Sequence, residues 1–417
     1  MKPHTPSLLV LLMFFVNQLT AQEEFKFKLE LSESIAQGNP VSVDISSFGM
    51  NPNDTSYQLY RINKREQVAL HSQIYQQGRT ILNFIANETI NPAQKNEFLL
   101  KVTDQGANKS SITLKKNNQG IQLMANDQPI LNYQTAMTYP PEGVNPIYRK
   151  SGFIHPLWSP SGEVLTRIQA PDHYHHYGIW GPWTKTHING RAVDFWNLAS
   201  GEGSVRFSKL LSLEEGNIYS GFSALQEHLD FGAKGDDQVA INELLQVNAW
   251  NADPGAKSYM IDYTTTINSP LDSGIIFDAY RYGGGIGMRM TERWHKDNCT
   301  VLTSEGHDRL TADGTSARWC IVEGESDSGR SGVLFMSHPG NRAHPEPMRV
   351  WPINANGDRG DMFFEFCPIR HDNWVIEQGK NYTLKYRMVV FDGKMTAERA
   401  EQHWKAFAFS PQATLIK

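Results

Sequence analysis

Short runs in which apolar and polar residues alternate make up most of the chain. Residues 41–45, 245–249, 259–263 and 382–390 all follow this period-two pattern. Alternation of this kind gives a strand one face for a core and one face for solvent, as is typical of antiparallel sheets. The pattern therefore predicts an all-β protein.

One segment near the C-terminus follows a helical pattern instead. Thr396 is suited to cap a helix, and Ala400, Trp404 and Phe407 recur at helical spacing on one face. The sequence therefore predicts a single C-terminal helix, which we expect to close one edge of a sheet.

The β-type runs fall into two regions with a polar, turn-rich stretch between them. Residues 22–103 predict a small N-terminal β-sandwich domain, and residues 104–111 predict a linker. Residues 112–417 predict a large antiparallel β-sandwich, supersandwich-like, which we expect to carry the active site.

The first 21 residues have a pattern of their own. Lys2 precedes an apolar run over residues 8–16, and a small residue, Ala21, ends the segment. These features predict a cleaved signal peptide and a periplasmic or extracellular protein. No cysteine follows the apolar run, so we expect no lipid anchor.

Composition narrows the classes of partner. The 417 residues carry 39 Lys and Arg against 44 Asp and Glu, a net charge of -5, with no long basic run. We therefore expect no nucleic-acid partner, and no membrane span beyond the signal peptide. Three scattered cysteines, Cys299, Cys320 and Cys367, are too few for a disulfide framework and predict buried thiols.

Candidate catalytic side chains are concentrated between residues 155 and 197, which contain five of the 14 histidines. Residues 172–177 read Asp-His-Tyr-His-His-Tyr. In an extended strand, His173 and His175 would share one face, and His176 would lie on the other with Asp172 and Tyr174.

Three uses of these histidines remain open. His173 and His175 are suited to hold one divalent metal ion, with a third ligand from His155, His338 or a carboxylate. Alternatively, His175 or His176 transfers a proton, with Glu163 or His155 as its partner. The third use is structural, because buried histidines often satisfy backbone carbonyl groups.

Aromatic residues crowd the same region, and they suit a carbohydrate cleft. Sugar rings present apolar C–H faces that stack on indole rings. We expect at least one of Trp158, Trp180 and Trp183 to line a pocket, and Trp180 to stack on a sugar.

Two later segments add candidates for substrate binding. Arg281 and Arg289 flank Tyr282 and four glycines, and the two guanidinium groups would suit the carboxylate of an acidic sugar. Residues 337–347 form a proline-rich loop with His338 as a catalytic candidate and His344 as a binding candidate. Glu365 lies among phenylalanines and needs a partner or a purpose if it is buried.

Several of these motifs resemble a bacterial family of unknown function labelled methane oxygenase PmoA. The motifs are residues 155–162, 172–178, 194–196, 313–315, 318–319 and 337–341, together with the glycines before Arg289. The resemblance covers roughly residues 112–393. It implies a β-sandwich similar to the galactose-mutarotase-like folds, which host epimerases, polysaccharide lyases and glycosidases.

The leading hypothesis is an exported carbohydrate-active enzyme, a glycoside hydrolase or a lyase, that acts on an oligosaccharide or polysaccharide by histidine acid–base chemistry. One alternative is a metal-dependent oxygenase or hydrolase, as the family label implies. The other is a glycan-binding protein without catalysis, which the histidine cluster disfavours because binding rarely needs several titratable groups together.

Overall fold

The computed structural model describes most of the chain. The described residues are 23–50, 56–64, 66–76, 78–103, 112–125, 127–232, 237–250 and 257–416. The predicted signal peptide (residues 1–21) and the predicted linker (residues 104–111) lie outside the described residues.

The described residues form mostly β-strands, as the alternation predicts. The first strands are β1 Glu24–Glu30, β2 Pro40–Asp44, β3 Ser56–Asn63, β4 Glu66–Leu70, β5 Ser72–Gln76, β6 Thr80–Ile85 and β7 Glu97–Thr103. The next are β8 Ile112–Lys116, β9 Gly120–Ala125, β10 Gln128–Gln134, β11 Phe153–Leu157, β12 Ile168–Ala170, β13 His173–Tyr177, β14 Ile179–Trp180, β15 Thr186–Ile188 and β16 Arg191–Val193.

Longer strands and the helix follow. They are β17 Gly203–Glu215, β18 Tyr219–Asp230, β19 Gln238–Trp250, β20 Ser258–Asn268, β21 Ile275–Phe277, β22 Ile286–Arg289, β23 Cys299–Thr303, β24 Ser316–Ala317, β25 Trp319–Ser326, β26 Gly329–Ser337, β27 Glu346–Val350, β28 Phe363–Phe366, β29 Trp374–Ile376, β30 Tyr382–Asp392, α1 Ala397–Ala408 and β31 Gln412–Leu415. Single 3-10 turns lie at Ser46–Phe48, Pro146–Tyr148 and Leu198–Ser200.

Two large sheets form the main sandwich. One has nine strands in the order β24-β27-β28-β22-β14-β11-β10-β9-β8, and the other has eight in the order β17-β18-β19-β20-β30-β26-β25-β23. Both are antiparallel, and side chains from each meet in one hydrophobic core. The predicted all-β sandwich is thus confirmed.

Alternation along the nine-stranded sheet defines a second, outer face. Ile179, Met288 and Phe364 point into the sandwich core, whereas their chain neighbours Trp180 and Phe363 belong to a separate aromatic cluster. That cluster lies on the side away from the eight-stranded sheet, since successive side chains of a strand point to opposite faces. The candidate site is built on this outer face.

A smaller unit precedes the sandwich and includes the end of the chain. Its sheets have the strand orders β31-β1-β7-β3-β4 and β2-β6-β5, and they enclose a core with Phe27, Phe84 and Phe98. Strand β31 pairs with β1, from Phe27 opposite Leu415 to Glu30 opposite Gln412. The last strand of the chain therefore completes the first sheet.

The C-terminal helix occurs where the pattern predicts it. The Thr396 hydroxyl accepts a hydrogen bond from the Arg399 N–H at 3.2 Å, as a cap does. The helix covers the outer face of β25, β26 and β30 with Ala400 and Trp404. The prediction that the helix closes a sheet edge is wrong, because it packs on the face of the sheet. These strands carry apolar residues on both faces, and the helix buries those on the outer face.

Other features bear on the sequence predictions. All three cysteines are buried free thiols, as expected. No helix within the described residues is both long and apolar enough to cross a bilayer.

Candidate functional site

A short ribbon of β12 and β13 carries the histidine cluster over the outer face of the nine-stranded sheet. The ring of Tyr177 packs on Phe153 of β11 with ring centroids 4.7 Å apart. Gly178 follows with a positive φ of 60°, and a Cβ atom there would lie 2.2 Å from the Ile154 carbonyl oxygen. Only glycine lets the ribbon approach the sheet this closely.

The rings of His173, His175 and His176 are in mutual contact. Ring centroids lie 4.7 Å apart for His173 and His176, 4.8 Å for His175 and His176, and 5.3 Å for His173 and His175. The prediction that His176 lies on the opposite face is therefore wrong. Within the described residues, strand β13 pairs with β12 alone, through a register shift, so regular alternation is not imposed on it.

Buried aromatic rings form a floor beneath the histidines. Trp196 stacks on His176 at 5.5 Å, Phe363 lies 5.2 Å from the same imidazole, and Trp351 lies 4.9 Å from His173. Trp180 packs under His176 at 5.5 Å. The floor holds the imidazole rings in fixed positions because it is close-packed.

Asp172 is the carboxylate that contacts the cluster. Its Oδ2 atom lies 2.8 Å from the Nδ1 atom of His173 and accepts a hydrogen bond from Arg289 Nη2 at 2.8 Å. Arg289 also donates to Asp361 at 2.5 Å, and its guanidinium lies over Trp351 at 4.5 Å. Burial raises the pKa of Asp172, but the His173 hydrogen bond and the Arg289 charge outweigh it and hold the pKa well below its usual range.

Burial divides the three histidines. Desolvation, helped by the neighbouring imidazoles, lowers the pKa of His175 to about 4 and also lowers that of the fully buried His176. Both rings are therefore neutral at pH 7. The His173 side chain is 35% exposed, and its Nδ1 atom is the one that contacts the Asp172 carboxylate.

Lys150 is a buried cation that sequence reasoning missed. Its ammonium group lies over the rings of Tyr177 at 5.8 Å and Trp180 at 5.9 Å, and the residue is 1% exposed. Burial lowers its pKa to about 7, although the charge of Glu243 opposes this shift. No local signal marks it, since a lysine that follows an arginine in a polar loop predicts a solvent-exposed side chain.

Tyrosines supply the half-buried rings around the cluster. Tyr148 and Tyr174 pack together at 5.5 Å, and Tyr282 packs on Trp196 at 5.0 Å. The Tyr282 hydroxyl accepts hydrogen bonds from Arg349 at 3.1 Å and from the Trp351 indole at 3.2 Å. The predicted binding residue Tyr282 thus lies beside the cluster.

Several buried polar atoms in the cluster have no hydrogen-bond partner among the described residues. They are His176 Nδ1, Trp180 Nε1 and Trp196 Nε1. Buried polar groups nearly always have a partner, so orphans gathered in one place are typical of a site that accepts a ligand or water.

Glu163 and His155, the predicted proton-transfer partners of the histidines, bind other groups. Glu163 accepts hydrogen bonds from Arg293 at 2.6 Å and from the Asp327 N–H at 2.7 Å, in the turn that follows Trp158. The His155 ring is held by Thr166, with 2.9 Å between Nδ1 and Oγ1. Glu163 and the Nδ1 atom of His155 are thus engaged by other groups, and the carboxylate in contact with the histidines is Asp172.

The two histidines of the proline-rich loop contact the C-terminal helix. His338 packs on Phe407 at 5.3 Å, and His344 stacks on Trp404 at 6.1 Å. Their predicted roles in catalysis and binding are therefore not supported, because the helix covers the loop on the far sheet. The loop instead buries Glu346, whose pKa is raised to about 7 by burial.

Burial corrects three other binding candidates. Arg289 is fully buried between two carboxylates, while Arg281 is exposed and packs on Tyr282 at 5.4 Å, so the predicted two-arginine clamp does not form. Glu365 is fully buried and accepts the Gly283 N–H at 2.6 Å. Trp180 lies 1% exposed under His176, which leaves no ring face for a sugar.

The side chains around His173 and His175 are not arranged as a set of metal ligands. Across the part of the chain that the structure describes, no group of three or more His, Cys, Asp or Glu side chains is arranged to hold a metal ion. The nearest carboxylate to His173 is already bound by Arg289, which competes for the same lone pairs. His173 and His175 therefore lack an available third ligand and do not form the predicted site for a divalent ion.

Comparison with known proteins identifies a family to which the chain is related. No curated protein matches the chain. A family of unknown function, DUF6807, matches residues 120–405, a span that includes both large sheets' central strands and every residue of the histidine cluster. The chain therefore belongs to the family of unknown function DUF6807.

Proposed function

We propose that this protein is an exported carbohydrate-active enzyme in which His173, oriented by Asp172, exchanges a proton with the substrate. The observation that carries the proposal is the 2.8 Å contact between His173 Nδ1 and the Asp172 carboxylate, above a floor of buried rings. Export rests on the predicted signal peptide alone.

The Asp172 contact selects His173 for proton transfer. A charged carboxylate at Nδ1 fixes the ring orientation and stabilises the imidazolium that forms when Nε2 takes a proton. Arg289, which is itself held by Asp361, holds Asp172 in place, so the pair of Asp172 and His173 is already arranged before a substrate binds. The half-buried, neutral ring of His175 offers a hydrogen bond to a hydroxyl group without adding charge.

The surrounding groups support a sugar as substrate. Half-buried tyrosine rings provide apolar faces, and the imidazole and phenol groups provide hydrogen bonds for hydroxyls. The β-sandwich architecture agrees with the likeness to galactose-mutarotase-like enzymes, and this likeness supports a sugar by analogy alone, since one fold hosts many functions.

Of the two reaction types, the contacts favour a lyase. Glycosidases that follow the usual pattern need two available carboxyl groups about 5–10 Å apart. Asp172 and Asp361 are both engaged by Arg289. Asp194, whose charge also acts on His175, accepts hydrogen bonds from the Thr184 hydroxyl at 2.8 Å and the Asn197 amide at 2.7 Å. A lyase can use one acid–base group: His173 Nε2 removes the proton on the carbon next to a carbonyl or carboxyl group, and the C–H electron pair forms a C=C bond. The glycosidic C–O bond on the adjacent carbon breaks, and the leaving oxygen takes a proton from the His173 imidazolium or from water.

The test is mass spectrometry of a pooled oligosaccharide panel incubated with the mature protein. We expect cleavage without a gain of water, together with ultraviolet absorbance from the new double bond. Cleavage with a gain of water would identify a hydrolase and overturn the lyase assignment. An unchanged pool would overturn the proposal for the sugars in the panel, and equal cleavage by a His173→Gln variant would remove His173 from it.

A further inference from the structure

A cavity opens on the outer face of the nine-stranded sheet, at His155. It has a volume of about 410 Å³ and is lined by Gln119, Gln134, Met137, Thr138, His155 and Ile168, among others. This volume falls within the range of about 300–1,000 Å³ that small-molecule sites occupy. Ile168 also packs against the aromatic cluster under the histidines, so the cavity adjoins the candidate site through the ribbon.

The lining of this cavity carries no formal charge. None of its residues is an aspartate, glutamate, lysine or arginine. Burial lowers the pKa of His155 to about 4, so its ring is neutral at pH 7. A charged ligand would lose its hydration here without gaining a counter-charge, which disfavours it.

Hydrogen-bonding groups face the cavity from several strands. Nδ1 of His155 is held by Thr166, which leaves Nε2 for a ligand. The Gln134 side-chain amide donates to the His155 carbonyl, so its position is fixed, and Gln119 adds an exposed amide. A purely apolar ligand would leave these groups without partners, so the ligand must carry polar groups.

Apolar surface completes the cavity. The Met137 side chain is 40% exposed at its rim, and Tyr139, two residues further on, is 64% exposed. Large exposed apolar side chains beside a cavity are typical of a binding surface. A ring with one apolar face and several hydroxyl groups satisfies all of these features together.

We propose that this cavity is a binding subsite for an uncharged sugar ring, separate from the proton-transfer site at His173. The choice of a sugar among uncharged, hydroxyl-bearing rings rests on the proposed function. His155, expected from the sequence to act in catalysis, becomes a binding residue in this assignment.

The test uses nuclear magnetic resonance of the full mature protein with ¹³C-labelled methionine methyl groups. The Met137 methyl is the reporter, and the probes are methyl glycosides of glucose, galactose, mannose and xylose, with galacturonate as the charged counterpart of galactose. We expect at least one neutral glycoside to shift the Met137 signal in a saturable way, and galacturonate not to do so. No shift with any neutral glycoside, or an equal shift with galacturonate, would overturn the proposal.

Two variants locate the binding. Gln119→Ala and His155→Ala should each weaken the affinity by about three- to tenfold, as expected for the loss of one hydrogen bond. Gln402→Ala, at an exposed position of the helix, should leave it unchanged. Unaltered affinity in both cavity variants would overturn the assignment.

Failure of this subsite proposal can be distinguished from failure of the proposed enzymatic function. Binding at Met137 without turnover of any oligosaccharide supports the subsite and contradicts the enzyme. Turnover that depends on His173, without any shift at Met137, contradicts the subsite and supports the enzyme.

Discussion

At the scale of single residues, burial assigns different tasks to chemically identical side chains. His173, His175 and His176 lie within ring contact of one another, yet two are kept neutral by burial and one is held by a charged carboxylate. Local dielectric and hydrogen-bond partners, rather than residue type, decide which imidazole is suited to exchange protons.

His173→Gln should abolish turnover while leaving the fold intact. The amide keeps a hydrogen bond to Asp172 but has no titratable nitrogen, so we expect a loss of about 10²–10⁴-fold in kcat. Steady-state kinetics on the first substrate identified, with circular dichroism as a check on folding, measures this. The matched control is His371→Gln, an exposed histidine, which should retain full activity; comparable losses in both variants would argue against the assignment.

Lys150→Met should stabilise the protein at neutral pH. The pKa of Lys150 is about 7 in the folded protein, against 10.5 for a lysine in water, so folding disfavours its charged form. This penalty, on the order of 3–5 kcal/mol, is full below pH 7 and disappears as pH rises towards 10.5, because only the unfolded chain stays protonated between the two values.

Urea unfolding of Lys150→Met and the parent protein at pH 6.5 and 9.5 tests this sign. The variant should be more stable at pH 6.5, and the difference should shrink at pH 9.5. The control is Lys185→Met, which removes an exposed ammonium that lies over Tyr280 at 5.1 Å and should show no such pH dependence. An equal difference at both pH values would show that Lys150 does not titrate as described.

At the scale of elements, a two-stranded ribbon determines the geometry of the site. Strand β13 has only β12 as a partner, and the close contact at Gly178 presses it onto β11. Alternation alone places His176 away from His173, and the register shift overrides that rule. The motif was evident in the sequence, whereas its geometry depends on this contact.

Gly178→Ala should destabilise the protein by more than the positive φ of this position alone would cause. Gly178 and Gly190 both have positive φ, 60° and 78°, but only Gly178 has a backbone atom within 2.2 Å of the added Cβ. Both alanine variants should lose about 1–2 kcal/mol from the left-handed conformation, and Gly178→Ala roughly 1–3 kcal/mol more from the clash.

Thermal and urea unfolding of the two variants measure this difference. Gly178→Ala should also lower activity at the histidine cluster, while Gly190→Ala should not. Equal destabilisation by both substitutions would mean that the ribbon tolerates a wider gap from β11.

At the scale of the whole molecule, the first and the last described strands lie side by side in one sheet. Strand β31 pairs with β1, His403 Nδ1 lies 2.7 Å from Asn39 Oδ1, and Lys405 bonds Glu33 at 2.8 Å. The smaller unit therefore depends on the C-terminus, which follows the larger sandwich in sequence.

Deletion of residues 410–417 should loosen the smaller unit selectively. Strand β1 would lose the partner on one side, so its amides should exchange with deuterium at least about tenfold faster, whereas those of β18 and β19 should not change. Hydrogen exchange with mass spectrometry measures both. Thr414→Ala, which keeps the backbone pairing with Lys28, is the control, and unchanged exchange in β1 after the deletion would contradict this account.

The sequence by itself determined the all-β class, the capped helix and the concentration of chemistry around residues 172–177. These follow from local periodicity and from residues that are neighbours in the chain, which sequence patterns report directly. Only the tertiary structure decided that Arg289 joins Asp172 to Asp361, that Lys150 is buried under the site, and that Glu163 binds Arg293 instead of the histidines. These partners lie in segments far apart in sequence, and which of them meet depends on the sheet order and register of the strands that carry those segments, for which no local pattern carries information.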